Sequence, residues 1–131
     1  MNFKIKSLML LFMFAALNFV GCSEDEESGY PKTVQIKYEV SSSTDNATAD
    51  ITIVNATGGE SDSEGKVLPF SQTITKEVKH FETITLTASS DNDDVIDMTL
   101  KIFVDDVEVK SELFEFSSSS YKTGVLVYVF E

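Results

Sequence analysis

The chain has 131 residues, and its 22 acidic residues outnumber ten lysines, with no arginine, for a formal net charge of −12 at pH 7. An acidic surface repels phosphate backbones, and a chain without arginine lacks the forked guanidinium that recognises phosphate, so nucleic acid is a poor partner. The single cysteine excludes a disulfide framework, and the length fits one domain.

The first residues have the composition of an export signal. Lys4 and Lys6 precede an apolar run over residues 8–20, which is shorter than the roughly 20 residues that cross a bilayer. A charged start, a short apolar stretch and a small residue before the break are typical of a secretory signal peptide. Residues 1–21 are therefore predicted to be a lipoprotein signal peptide that is removed.

The end of this segment indicates a lipid anchor. Phe19-Val20-Gly21-Cys22 resembles the lipobox of bacterial lipoproteins, in which the cysteine is acylated and becomes the mature N-terminus. Two or more acyl chains, such as palmitate, hold a protein stably on a membrane, whereas one chain binds marginally. Cys22 is thus the predicted lipidation site. The mature chain would carry eight lysines and 22 acidic residues, for a net charge of −14.

An acidic tract follows the cysteine directly, and it contains Glu24, Asp25, Glu26 and Glu27. A charge run without apolar periodicity is typical of a solvated tether, which we expect over residues 22–32. The tract also resembles the short acidic export signal of surface lipoproteins in Bacteroidota-type bacteria. That resemblance implies an outer-membrane lipoprotein exposed at the cell surface, and the alternative is a domain that faces the periplasm.

From residue 33 onward, apolar residues recur at every second position, the pattern of half-buried strands, and no segment has a helical period. Some seven short strands separated by turn-rich breaks predict an all-β, immunoglobulin-like β-sandwich over residues 33–131. The residues predicted to share a face in each strand are Val34, Ile36, Tyr38 and Val40; Ala47, Ala49, Ile51 and Ile53; Phe70, Gln72, Ile74, Lys76 and Val78; Ile84, Leu86 and Ala88; Ile96, Met98, Leu100, Ile102 and Val104; and Val125, Val127 and Val129. The return strand after Val104 is predicted from the alternation of Val107, Val109 and Leu113, and the Phe114 and Phe116 pair continues it after the alternation slips by one.

The breaks between strands carry further expectations. Asp105-Asp106 lies between two apolar runs and predicts a two-residue hairpin turn, followed by a bulge near Ser111. Residues 60–66 are polar and acidic, which predicts a loop. The last strand is apolar on both faces, which predicts that it is central or covered.

Several strand and turn segments also resemble the MmpS family, over most of the region from Val34 to Ser111. The segments that carry the resemblance are Val34-x-Ile36-x-Tyr38-x-Val40, Ala49-Asp50-Ile51-Thr52, Asn55-Ala56-Thr57-Gly58-Gly59, Leu68-Pro69-Phe70, Leu86-Thr87-Ala88, and Ile102-Phe103-Val104-Asp105-Asp106 with Val109-Lys110-Ser111. MmpS proteins are small membrane-anchored β-sandwiches that assist RND-type exporters. The resemblance implies that fold and an accessory role in transport. The chain departs from the family at Phe70, at Asp106, and in having a lipobox instead of a transmembrane helix.

Candidates for catalysis and metal binding are few. His80 is the only histidine, no G-x-S-x-G nucleophile motif is present, and the cysteine and histidine count excludes the common zinc sets. The chain is therefore predicted not to be an enzyme and to use no cofactor. Asp91, Asp93, Asp94 and Asp97 form the one cluster that could supply oxygen ligands for a weak calcium site, with an acidic solvated turn as the alternative.

Two functions remain open at the level of sequence. The first is a non-enzymatic, membrane-anchored accessory or interaction lipoprotein that serves an envelope transporter. The second is a surface-exposed binding module for glycan or host protein that uses Tyr121 or Tyr128, since tyrosine can replace the absent tryptophan as a stacking residue. In both cases the binding surface is expected on loops or strand edges, at residues 55–66, 91–94 or 117–122.

Overall fold

A computed structural model of the protein describes residues 29–117 and 121–131, and this part of the chain is all-β. Eight strands follow one another, and each pairs with its neighbours in antiparallel fashion. The strands are β1 (Lys32–Ser41), β2 (Thr48–Val54), β3 (Glu60–Val67), β4 (Phe70–Val78), β5 (Thr83–Ser90), β6 (Asp97–Val104), β7 (Val107–Glu115) and β8 (Lys122–Val129).

Two open four-stranded sheets form a β-sandwich, as the alternating pattern predicts. The strand orders are β4-β1-β6-β7 and β3-β2-β5-β8. Strands β1 and β4 pair with each other as strands B and E do in the immunoglobulin fold. In the second sheet, β2, β5 and β8 are neighbours in the same order as strands C, F and G of that fold. The β6–β7 hairpin lies on the other side of β1. Strands β7 and β8 are the edge strands on the same side of the sandwich, where they contact each other.

The core lies between the sheets. It contains most of the predicted inward-facing residues, together with Val95, Leu126 and Phe130, which were not predicted to face inward. Alternation in β1, β2 and β5 is confirmed residue by residue, because every second side chain there is buried. Tyr38 is fully buried at the centre, and its hydroxyl donates to the Val54 carbonyl at 2.9 Å. Burial raises the pKa of the Tyr38 hydroxyl well above its ordinary value. A polar atom in the core is thereby satisfied, which removes the cost of burying it.

The predicted hairpin turn at Asp105-Asp106 is confirmed. Both residues have positive φ, 47° and 66°, as the mirror-image turns of tight hairpins require. The turn is also fixed to strand β1, since Gln35 donates its backbone N–H to the Asp105 carboxylate and accepts the Asp105 N–H, both at 2.9 Å. The bulge lies at Val109, two residues before its predicted position, because Ile102 pairs with Lys110 while Phe103 pairs with Glu108.

The prediction of a loop at residues 60–66 is wrong, because these residues form most of edge strand β3. Its small Ser61 and Ser63 face the sandwich opposite buried isoleucines of β2, and its acidic residues face solvent. Thr52 donates its hydroxyl to the Asp62 carboxylate across the pair at 2.6 Å. An edge strand forms through backbone pairing and needs little apolar surface, so this segment carries no hydrophobic period.

Three further expectations are also wrong. Strand β8 is an edge strand and not a central one, so Val125, Val127 and Val129 are 46%, 44% and 39% exposed. Ile96 is 60% exposed because a turn, closed by the Val95 N–H donating to the Asn92 carbonyl, directs Val95 into the core instead. Leu113 is 54% exposed because β7 is also an edge strand.

The strand directions sort the loops into two ends of the sandwich. The proximal end, where the described chain begins, contains residues 29–31, 55–59, 79–82, 105–106 and 130–131. The distal end contains residues 42–47, 68–69, 91–96, 116–117 and 121. Of the three regions expected to bind, residues 55–59 therefore lie at the opposite end from residues 91–94 and Tyr121, and they cannot form one site.

Candidate functional site

The predicted lipidation site Cys22 and the acidic tract lie outside the described residues. Across residues 29–117 and 121–131, no helix has the length and apolar character needed to cross a membrane.

His80 lies at the proximal end within a stack of aromatic rings. Its imidazole is 3.8 Å from the Phe81 ring and 5.5 Å from the Tyr30 ring, measured between ring centroids. The Lys32 ammonium lies 4.6 Å from the centre of the Tyr30 ring. A general base of the Ser-His-Asp type needs a hydrogen bond that orients its imidazole, whereas this imidazole is held by ring stacking. This arrangement presents aromatic surface at the proximal end of the domain.

In the loop that carries His80 and Phe81, Glu82 forms a partly buried ion pair with Lys76 of β4. Lys76 lies on the predicted inward face of β4, is 5% exposed, and places its ammonium 2.8 Å from the Glu82 carboxylate and 3.1 Å from the Glu77 carbonyl. The hydrogen bond from Lys76 is the largest cause that lowers the pKa of Glu82; partial burial opposes it, and the Lys79 backbone N–H assists. The pair fixes the loop that carries His80 and Phe81.

The acidic turn at the distal end is linked by hydrogen bonds to the loop that follows β1. Asp97 accepts the Ser43 backbone N–H at 2.8 Å and the Ser43 hydroxyl at 2.5 Å, and the Ser42 hydroxyl lies at 3.4 Å. These bonds, led by the Ser43 N–H, lower the pKa of Asp97. The Asp94 carbonyl accepts the Thr44 hydroxyl at 3.2 Å. The Asp97 carboxylate therefore holds two loops together.

The structure does not bring the four predicted calcium ligands to one point. Within the described ranges, no group of three or more His, Cys, Asp or Glu side chains could hold a metal ion. Asp91, Asp93 and Asp94 are exposed, while Asp97 is half-buried against the serine loop. The geometry adds no support for the calcium site, which stays a prediction.

The outward face of β8 is an exposed apolar surface of the described chain that sequence reasoning missed. Val125, Val127 and Val129 form a valine stripe along this strand, which pairs with β5 without interruption over eight residue pairs. Residues 123–129 contain no charge, no proline and no bulge. A groove of about 370 Å³ runs beside the stripe, lined by Val109, Lys110, Val127, Tyr128, Val129 and Glu131.

Two of the other three edge strands have features that block pairing. Strand β7 has a bulge at Val109, and Lys110 and Glu112 lie on the core side of its sheet, opposite buried Ile102 and Leu100. Strand β3 carries acidic side chains on its solvent face. Charges that point inward, bulges and charged edges are the means by which natural sheets resist strand addition. In β8 the one charge is Lys122, whose buried ammonium donates to the Asn92 carbonyl at 3.0 Å at the distal end.

The uncharged, doubly apolar run at residues 125–130 was the available sequence signal for this surface, but the same run is also typical of a buried central strand. Strand order distinguishes the two interpretations, and strand order cannot be read from periodicity.

Comparison with known proteins gives no family for the chain. No profile of a known protein family matches the sequence, and no curated protein matches it either.

Proposed function

We propose that this protein is a non-enzymatic lipoprotein, anchored in the outer membrane through acyl chains on Cys22, whose folded domain acts by binding another protein. The resemblance to MmpS proteins suggests that the partner is a component of an envelope exporter. Export and anchoring are supported by the signal-peptide composition and the lipobox-like segment.

The observation that carries the proposal is the edge of β8. An edge strand presents unpaired N–H and C=O groups that can pair with a strand from another chain. Here the edge is next to a stripe of three half-exposed valines, so a strand added to β8 would gain main-chain hydrogen bonds and apolar contacts together. An apolar or β-branched strand of a partner protein fits this surface best.

The charge of the domain favours the same class of partner. With an acidic surface, phosphate-rich and anionic ligands are repelled over distances of about 10 Å at moderate salt. The valine stripe is an uncharged area on this acidic surface, which makes apolar contact the available source of affinity.

A crosslinking experiment in cells tests the proposal. The wild type and the Val127→Lys variant are each crosslinked in intact cells and purified, and the copurified proteins are identified by mass spectrometry. Val127→Lys is expected to lose the partner, because a lysine on an edge strand opposes strand addition. Thr73→Lys is the matched control, since Thr73 is also exposed on an edge strand, β4, at the opposite side of the sandwich. Equal recovery from both variants would contradict a contact through β8.

A surface-binding module for glycan or host protein is the second candidate function. Tyr121 is 70% exposed at the distal end, and Tyr128 lines the groove beside the valine stripe. Tyrosine rings can stack on sugars or fill protein pockets. The same experiment separates the candidates: an envelope exporter subunit supports the accessory function, whereas glycan or host protein that is lost on Tyr121→Ala supports the surface-binding function.

A further inference from the structure

From the aromatic stack at the proximal end, we infer that this end of the domain rests on the lipid bilayer, with the Phe81 side chain in the interfacial region. The inference rests on the proposed lipid anchor at Cys22, but it assigns a surface and an orientation that the anchor alone does not. The surface consists of Tyr30, Lys32, His80 and Phe81, and the occupant is the phospholipid headgroup region.

The path of the chain brings this end close to the anchor. Tyr30 is eight residues beyond Cys22, so a fully extended connection spans at most about 28 Å. The chain enters the sandwich at the proximal end, where the Tyr30 hydroxyl donates to the Glu131 carbonyl at 3.1 Å. The loop of residues 79–82 lies beside this entry point, as the stacking of Tyr30 on His80 demonstrates.

The conformation of Phe81 is costly for folding. Its side chain is 68% exposed and its φ is +64°, a region that bulky residues rarely occupy. The loop fixes this conformation, because the Phe81 N–H donates to the Phe130 carbonyl at 2.7 Å and the Glu82 N–H donates to the Lys79 carbonyl at 3.1 Å. Glycine or asparagine would satisfy the same turn with less strain. An exposed phenylalanine that is held in a strained backbone conformation points to a contact between its side chain and something outside the domain.

The composition of this surface matches the water–lipid interface. Aromatic rings with a polar edge or partner concentrate at the headgroup level of membranes, and lysine side chains extend towards it. Lys32 and Lys79 supply positive charge here, and the Glu82 carboxylate is already paired with Lys76. Asp105, Asp106 and Glu131 lie at the same end, so the contact relies on aromatic insertion and suits neutral headgroups better than anionic ones.

Single-tryptophan fluorescence tests the inference, because the chain contains no tryptophan. The acylated protein is purified with detergent and reconstituted into phosphatidylcholine vesicles whose acyl chains carry bromine near the headgroup. We expect strong bromine quenching of Phe81→Trp and little quenching of the matched Ile96→Trp, since Ile96 is exposed to a similar degree, 60% against 68%, but lies at the distal end. Equal quenching of the two variants, or none for Phe81→Trp, overturns the inference.

If Phe81→Trp does not fold, a second pair of variants tests the same inference. Tyr30→Trp reports on the same surface, and adding Phe81→Asn to it should reduce the quenching to the Ile96→Trp level while the domain stays folded by circular dichroism. Retained quenching in the double variant would show that Phe81 does not insert.

The anchor and the orientation can fail separately. Mass spectrometry of the peptide that contains Cys22 shows whether cells acylate it. Independently, a chain that begins at Cys22 can be coupled through its only thiol to a maleimide-bearing phospholipid in the same vesicles. Quenching of Phe81→Trp in the coupled protein without acylation in cells would refute only the anchor, whereas acylation without quenching would refute the orientation.

Discussion

The tolerance of a position in β6 to a charged side chain depends on the face of the strand on which it lies, and Ile102 is an example. It is fully buried on β6, whereas neighbouring Phe103 is half-buried on the outer face with the Lys37 ammonium 4.3 Å from its ring centroid. We predict that Ile102→Asp unfolds the domain, since an unpaired buried charge costs several kcal/mol. Phe103→Asp should cost clearly less, and urea unfolding followed by circular dichroism measures both. Equal losses would mean that β6 is buried on both faces.

Glu82 and Asp97 are two carboxylates of the described chain that link its stability to acid pH. The pKa of each is lowered in the folded protein, so each contributes stability above its unfolded pKa and loses it as the pH falls through the folded pKa. We predict that Glu82→Gln lowers the free energy of unfolding at pH 7 by about 2 kcal/mol, because Lys76 loses a charged partner. The difference from the wild type should shrink towards pH 3.

Comparison with Asp97→Asn provides the control for this pH dependence. The two carboxylates lie at opposite ends of the sandwich, so their effects should add in the double variant. Chemical unfolding at a series of pH values measures this additivity. If Glu82→Gln retained the full acid sensitivity of the wild type, the Lys76–Glu82 pair would have no part in it.

At the scale of elements, the packing of β7 against β8 requires a glycine at position 124. A Cβ atom at Gly124 would lie 2.8 Å from Cδ2 of Phe114, a ring of the facing sheet. We predict that Gly124→Ala lowers the free energy of unfolding by about 1–3 kcal/mol, since the ring must move. Phe114→Leu in the same chain should recover part of the loss. Gly59→Ala is the control, because its Cβ would meet Asn55 only at an ordinary 3.5 Å. Equal effects at both glycines would argue against the packing of Phe114 on β8.

Elements with a strong local signal could be predicted from the sequence, and those determined by long-range pairing could not. The buried face of β1 follows from alternation, and the Asp105-Asp106 turn follows from its position between two apolar runs. Strand β3 carries no such signal, because it is formed by pairing with β2. The exposure of Ile96 depends on a turn that directs Val95 inward, which periodicity does not encode. The valine stripe could not be predicted either, since an apolar run in an edge strand and one in a central strand have the same sequence pattern.

At the scale of the whole molecule, the anchor and the fold should be independent. The core of the described domain contains no cysteine, so Cys22→Ser is predicted to release the protein from membranes and to leave its melting temperature unchanged. Fractionation of cells and thermal melts of the purified protein test the two halves separately. A variant that stays in the membrane fraction would indicate another anchor.

The acidic tract permits a related prediction about location. Replacing Glu24, Asp25, Glu26 and Glu27 with serine should turn a surface-exposed protein inward, because the tract resembles a surface export signal. Protease treatment of intact cells measures exposure of the domain. Equal cleavage with and without the tract would leave it as a tether only.

The unequal edges of the two sheets also limit the stoichiometry of any complex. Strand addition at β8 creates a new outer edge that belongs to the partner. The acidic face of β3 and the bulge of β7 disfavour addition at those edges, which leaves β4 as the one other edge of the two described sheets. Two copies joined through β8 would form a closed two-fold pair, and a different partner would bind once per domain. Binding through β8 thus favours finite one-to-one assemblies.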